Sequence, residues 1–484
     1  MFPWKSILKF SRESTKPIYL QLADAIIKSI HEGHLFPGQK LPGARVLGDL
    51  LNLNRKTVTA ALEELSSQGW VESYEWKGTF VSNKLPELKY KPLHNTGFGE
   101  AVGETGHKVN KFRFLESLYL DYTNVRLIDD GVSDVRLSPL DTLYAYHRSI
   151  LSKNAFSALL KYNHIEGDLD LRMTLKSYLH TTRGIVTDHQ NIFITRGSQM
   201  AIYITVTALL KKGDYCITSL PGYQIVDNII NHSGGKVAHV AVDNEGIDVG
   251  EVDEICKKKK VRLLYITPHH HYPTTVRLSP KRRIELLQLA IKHNFYILED
   301  DYDYDLHYDN SPLLPLASLN KDGRVIYIGS FSKCLSPSVR VGYFVAPKEI
   351  MEAANKLRRI IDRQGDPLLE RAVSEFIKSG DLDRHLKKTV RIYKHRRDYF
   401  CALLQSNLSE YLSFMQPEGG MSVWLVFKNA EMLKNLPDKL LKQGYLLETD
   451  NIFTERFNGV RIGFASLNDV EMDKFIETVK HILD

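Results

Sequence analysis

The sequence predicts an α/β protein in two parts: a small three-helix head ending in a hairpin, and a large domain built on a mainly parallel sheet. Three observations carry this. At 484 residues and 43% hydrophobic, the chain can bury one large core and still carry a second domain, since single cores rarely exceed roughly 250–300 residues. From Pro17 to about Val81, helical apolar stripes are punctuated by glycine and proline. Beyond Phe114, apolar runs of strand length alternate with amphipathic helices. The expected boundaries are 11–82 for the head, 83–113 for a linker and 114–484 for the large domain.

The formal net charge of +6 favours a polyanionic partner without establishing one. The four cysteines, Cys216, Cys256, Cys334 and Cys401, are far apart and form no CxxC pair, so neither a zinc site nor a disulfide framework is expected and a reducing cytoplasm fits best. No stretch approaches the roughly 20 apolar residues needed to span a bilayer, so no membrane partner is expected.

In the head, Ile18, Leu22, Ile26, Ile27 and Ile30 form a helical stripe that stops at Gly33, and Pro37-Gly38 turns the chain. A second helix runs through Arg45, Leu47, Leu50 and Leu51. Asn54 is placed to cap a third helix, its side-chain oxygen taking a free backbone N–H. There Val58, Ala61, Leu62 and Leu65 face inward and leave Arg55, Lys56 and Thr59 outward. Such a face suits a recognition helix, with cations and hydroxyls on phosphates and the first residues near base edges. It equally suits an ordinary solvated surface. Gly69–Glu72 and Gly78–Val81 read as a hairpin with Lys77 at its tip, placed to touch a DNA backbone. The stretch from Asn83 to Arg113, rich in Lys, Pro, Gly and His, reads as a tether.

The runs Asn191–Thr195, Tyr215–Thr218, Arg262–Ile266, Tyr296–Leu298, Val325–Ile328 and Gly342–Val345 read as strands buried on both faces. Ligands gather at the carboxyl ends of such strands. Gly197-Ser198-Gln199 after the first run opens a helix that can hold a phosphate, or is a simple tight turn. Tyr223 after the second can pack or stack on a flat ring. The carboxylates of Glu299-Asp300-Asp301-Tyr302-Asp303 admit a divalent-metal loop or a solvated turn, though calcium-loop spacing is missing. A more specific reading sets Asp300 against the protonated pyridine nitrogen of pyridoxal phosphate (PLP) and Tyr302 against its phenolic oxygen. Lys333 then forms the Schiff base, and Ser330, Ser332 and Arg340 surround the phosphate. His269-His270-His271 invites a metal site, but consecutive side chains on an extended segment alternate faces and do not converge. No metal is expected.

Two resemblances sharpen this. Pro17-Ile18-Tyr19-Leu20-Gln21, Pro37-Gly38-Gln39-Lys40-Leu41-Pro42, Arg45, Asn54-Arg55-Lys56-Thr57-Val58 and Gly78-Thr79-Phe80-Val81 resemble the GntR family of winged-helix regulators, which implies that Arg45, Arg55 and Thr57 contact operator DNA. Gly43 and Asn54 stand where serines are common. The remainder resembles the fold-type I aminotransferases through Tyr162, Gly167, Gly197-Ser198-Gln199, Pro221-Gly222-Tyr223, Asp300, Tyr302, Ser330, Lys333, Arg340 and Arg461. That resemblance implies that Arg461 binds an effector carboxylate and that Tyr162 reaches a phosphate across a head-to-tail homodimer. In place of the usual Gln-Asn-Pro-Thr-Gly the chain has His271-Tyr272-Pro273-Thr274-Thr275, which weakens the expectation of catalysis more than that of cofactor binding.

The two together resemble the MocR subgroup of GntR regulators. The implied function is a PLP-dependent transcriptional regulator in which an amino-acid or amine effector displaces Lys333 from its aldimine. A working aminotransferase with a DNA-binding head, and a sensor of PLP itself controlling vitamin B6 genes, stand as the alternatives.

Overall fold

The computed structural model describes residues 4, 11, 14–85, 125–152, 157–308, 313–447 and 451–484. The chain divides into two compact units, 1–113 and 114–484. Apart from 83–85, the expected linker lies outside the described residues.

The head contains α1 (Ile18–His31), α2 (Ala44–Leu51), α3 (Arg55–Ser67) and the antiparallel hairpin β1 (Val71–Tyr74) and β2 (Gly78–Val81), paired from Val71↔Val81 to Tyr74↔Gly78. Leu22, Ile26, Ile27 and Ile30 of the α1 stripe are buried against Leu47, Val58, Ala61, Leu65, Trp70 and Val81, whereas Ile18 is half-buried. Asn54 caps α3 as expected, its Oδ1 accepting the Lys56 backbone N–H at 2.9 Å.

The described part of the large unit opens on β3 (Arg126–Ile128). Its central sheet comprises β4 (Ile192–Thr195), β5 (Tyr215–Ser219) and β6 (Lys236–Val240). After a two-residue hairpin, β7 (Val242–Asp243) and β8 (Gly246–Ile247), it adds β9 (Val261–Ile266), β10 (Tyr296–Asp300), β11 (Val325–Ser330) and β12 (Gly342–Val345). The order is β4-β12-β11-β10-β9-β5-β6. Only β12 runs against its neighbours, so the sheet is mainly parallel, as the doubly buried runs predict. Every run read as a strand forms one. Absent from that reading was β6, whose Lys236 and His239 are exposed while Ala238 and Val240 are buried. That alternation marks a half-covered edge rather than a sheet centre.

The rest of the chain forms a second lobe of the same unit. Its antiparallel sheet is β13 (Leu412–Phe414), β14 (Ser422–Phe427) and β16 (Gly459–Gly463), in that order, while β15 (Tyr445–Leu447) pairs in parallel with β3. Phe400, Leu404, Val423, Phe464 and Phe475 fill its core. The β3–β15 pairing delivers the following residues, Asp129 to Gly131, to the end of β16, where Gly463 N–H donates to the Asp129 carbonyl at 2.7 Å. No helix among the described residues is long and apolar enough to cross a membrane.

Candidate cofactor and effector site

The carboxyl ends of the central strands converge on a cavity of about 210 Å³. Asp300 ends β10, Lys333 follows β11 by three residues, and Ser198 opens the helix α4 (Ser198–Leu209) after β4. Tyr223, Tyr302, Ser330 and Ser332 complete the wall on this side, and Arg461 enters from β16 of the second lobe. Sequence order therefore becomes spatial convergence because successive parallel strands present their carboxyl ends to one edge.

Asp300 is buried. Its Oδ2 accepts from the Tyr265 hydroxyl at 2.9 Å, while its Oδ1 has no partner. Burial, reinforced by the charges of Asp301 and Asp303, pushes its carboxyl up to about 7. An acid so placed is completed by a cationic N–H, which is what a protonated pyridine nitrogen offers. Ser332 Oγ is a second buried atom without a partner. Gly197 has φ +87, and a Cβ there would stand 3.1 Å from the Arg340 guanidinium, so the start of α4 stays open beside that cation. No side chain caps α4 and no acid lies in its first turn, which leaves backbone N–H groups and the helix dipole for an anion. The donor set thus fits PLP at ring, phosphate and aldehyde ends.

Lys333 Nζ donates to the Gly131 carbonyl at 2.6 Å. Burial lowers the pKa of its ammonium, with Asp130 opposing. Arg461 donates to the backbone carbonyls of Asp130 (2.7 Å) and Pro273 (3.0 Å), and to the Tyr302 hydroxyl at 3.4 Å. Its guanidinium lies 5.0 Å over the Tyr272 ring. The Tyr272 hydroxyl donates to Asp130 Oδ2 at 3.0 Å, and its ring meets Tyr223 edge to face at 5.2 Å. Tyr302 donates to the His270 carbonyl at 3.1 Å, and burial pushes the Tyr223 phenol up to about 12.

Several expected residues lie outside the cavity lining. Gly197 and Arg340 flank it, Gln199 is exposed, and Tyr162 is 77% exposed with the Arg363 guanidinium 4.1 Å over its ring. Asp130, Gly131 and Tyr265 were not foreseen. Tyr265 sits inside an apolar run read only as a strand, and nothing local marks Asp130. The three histidines part company. His269 Nδ1 lies 2.7 Å from Asp301, His270 Nδ1 lies 2.9 Å from Asp303, and His271 bonds Ser219 and Thr274. Burial lowers the His271 ring to about 3, keeping it neutral. All four cysteines are free thiols.

In the head, Arg45, Arg55, Lys56 and Lys77 are exposed and enter no ion pair among the described residues. Thr57 and Thr59 are half-buried, so the outward face of α3 is led by its two cations. Beside Lys77, Trp76 is 97% exposed at the hairpin turn, a feature the sequence reading passed over.

Residues 136–479 match the family model for aminotransferase class I and II, and residues 18–81 that for bacterial regulatory proteins of the gntR family. The chain is 29% identical over 461 residues to the HTH-type transcriptional regulator YdfD of Bacillus subtilis, covering 94% of each. It is 26% identical to the probable rhizopine catabolism regulatory protein MocR of Rhizobium meliloti, covering 98% of this chain and 95% of that one. Among solved structures, kynurenine aminotransferase of Pyrococcus horikoshii superposes with a TM-score of 0.69 at 26% identity, covering 75% of this chain and 92% of that one.

Proposed function

We propose, from the premise that this chain belongs to the class I and II aminotransferase family and carries a gntR-family head, that it is a transcriptional regulator whose large unit senses an amino acid or amine through PLP held at Lys333. The observation that carries this reading is one cavity containing both Lys333 and an Asp300 oxygen that lacks a partner.

In this reading Asp300 meets the ring nitrogen, Tyr302 the phenolic oxygen and Tyr223 a face of the ring. Ser198, Ser330, Ser332, Arg340 and the N–H groups at Gly197 to Gln199 hold the phosphate, joined by Tyr162 from a second copy in a head-to-tail homodimer. Bound there, PLP supplies an aldehyde that exchanges one amine for another and a ring that withdraws electrons. Lys333, depressed by burial, offers a neutral amine at lower pH than a surface lysine does. Arg461 receives the effector carboxylate in a dry, hydrogen-bonded setting that favours a charged acceptor. An effector that binds two arrangements of the dimer unequally shifts the balance between them and repositions the heads. Arg45, Arg55, Lys56, Thr57, Thr59 and Lys77 form the operator-facing surface.

Retention of Lys333, Asp300 and Arg461 around one cavity favours a second reading, a working aminotransferase. One experiment decides. The full chain is loaded with PLP and titrated with amino and ω-amino acids while absorbance, keto product and operator affinity are followed together. A spectral change and altered operator affinity without product support the regulator. Sustained turnover makes it an enzyme, and operator affinity that follows PLP alone, with no response to any amine, makes the cofactor itself the signal. Lys333→Ala abolishes covalent attachment of PLP and leaves operator binding by the head in place.

A further inference from the structure

The cavity holds one more carboxylate than the reading above uses. Asp300 is taken by the ring and Lys333 by the aldehyde, which leaves Arg461 and Asp130 facing whatever else enters. Arg461 donates to neutral oxygens, the backbone carbonyls of Asp130 and Pro273 and the Tyr302 hydroxyl, and among the described residues no carboxylate is in contact with its guanidinium. Asp130 lines the same cavity, has no ion-pair partner among the described residues, and is steadied by the Tyr272 hydroxyl on Oδ2 at 3.0 Å. Tyr272 sits between the two charges, with Arg461 against its ring face and Asp130 on its hydroxyl.

From this juxtaposition of an unpaired carboxylate and an unpaired guanidinium in one cavity, we propose that the effector is a basic amino acid, a diamino monocarboxylate whose second ammonium is received by Asp130 and Tyr272. The inference rests on the sensor reading: one amine goes to the aldehyde, the carboxylate to Arg461, and the remaining cation to Asp130. A monoamino acid sets a methyl group against Asp130, whose carboxylate then keeps the Tyr272 hydroxyl but gains no cation. A rival use for Asp130 is to pair with the Lys333 ammonium once that lysine is released, since Asp130 is the foremost charge acting on it. The rival predicts no selectivity among amines.

The test uses the PLP-loaded full chain, with ornithine and lysine titrated against norvaline and norleucine, which match them in length without the second charge, and with visible absorbance as the readout. A charge-assisted hydrogen bond predicts a preference of about 10-fold or more for the diamino acids. In Asp130→Asn and in Tyr272→Phe that preference falls toward unity, operator affinity losing its selectivity in parallel. Equal affinities in the wild type overturn the inference while the sensor reading stands. A preference that survives Asp130→Asn also overturns it, as does a proportional loss for both classes, which assigns Asp130 to Lys333. If no amine of either class perturbs bound PLP, the sensor reading falls and the inference with it.

Discussion

Asp300→Asn separates what the cavity costs when empty from what it gains when filled. Burial, reinforced by Asp301 and Asp303, holds the Asp300 carboxyl near 7 in the fold, whereas an unfolded aspartate loses its proton at about 3.9. Between those values the folded chain binds the extra proton, so stability falls as pH rises. The penalty is absent below about pH 4, grows across the window and is complete above about pH 7. At 1.36 kcal/mol per pH unit, a window of about three units costs the cofactor-free fold roughly 4 kcal/mol at pH 8. Asparagine still accepts from the Tyr265 hydroxyl and never ionises.

Without PLP, the variant is therefore expected to melt several degrees above wild type at pH 8, the gap closing as pH approaches 4. With PLP the order reverses, because a pyridinium nitrogen turns the ionised Asp300 from an isolated buried charge into a paired one. Thermal unfolding at pH 5 and pH 8, with and without saturating PLP, reads all four corners as paired differences, which suits a chain of two units better than an absolute free energy. A variant that melts below wild type at pH 8 without PLP refutes the reasoning. So does a stability difference that ignores pH, since it means no proton is coupled to this carboxyl.

Other outcomes follow from single contacts. Gly167 has φ +105, and a Cβ there would stand 2.4 Å from Ile194 on β4; Gly167→Ala is expected to cost about 2–4 kcal/mol in urea unfolding of the large unit. Asn54→Ala removes the α3 cap and is expected to cost about 1 kcal/mol, read as faster hydrogen exchange at the α3 amides with PLP binding unchanged. Arg55→Ala is expected to weaken operator binding by about 1–3 kcal/mol in a gel-shift titration and to leave the PLP spectrum untouched; unchanged affinity removes α3 from the interface.

Which parts of this molecule can be read in one dimension depends on how each part is held. Ile192 to Thr195 are all buried because β4 lies under cover on both faces, and that environment writes an unbroken apolar run. Likewise Asp300 ends one such strand and Lys333 comes three residues after the next, so chain order reports their convergence. β6, with one wet face, writes only an alternation that its short length makes ambiguous. Asp130 is harder in kind. It belongs to no strand, and its position is fixed by the pairing of Leu127 with Leu446 and by a phenol from the segment after β9. No local composition records a contact between elements so far apart in sequence. The residue types that recur with the chemistry of a cofactor are therefore visible in the chain. Asp130, by contrast, is held by tertiary contacts alone, and only the folded cavity brings it beside Tyr272 and Arg461.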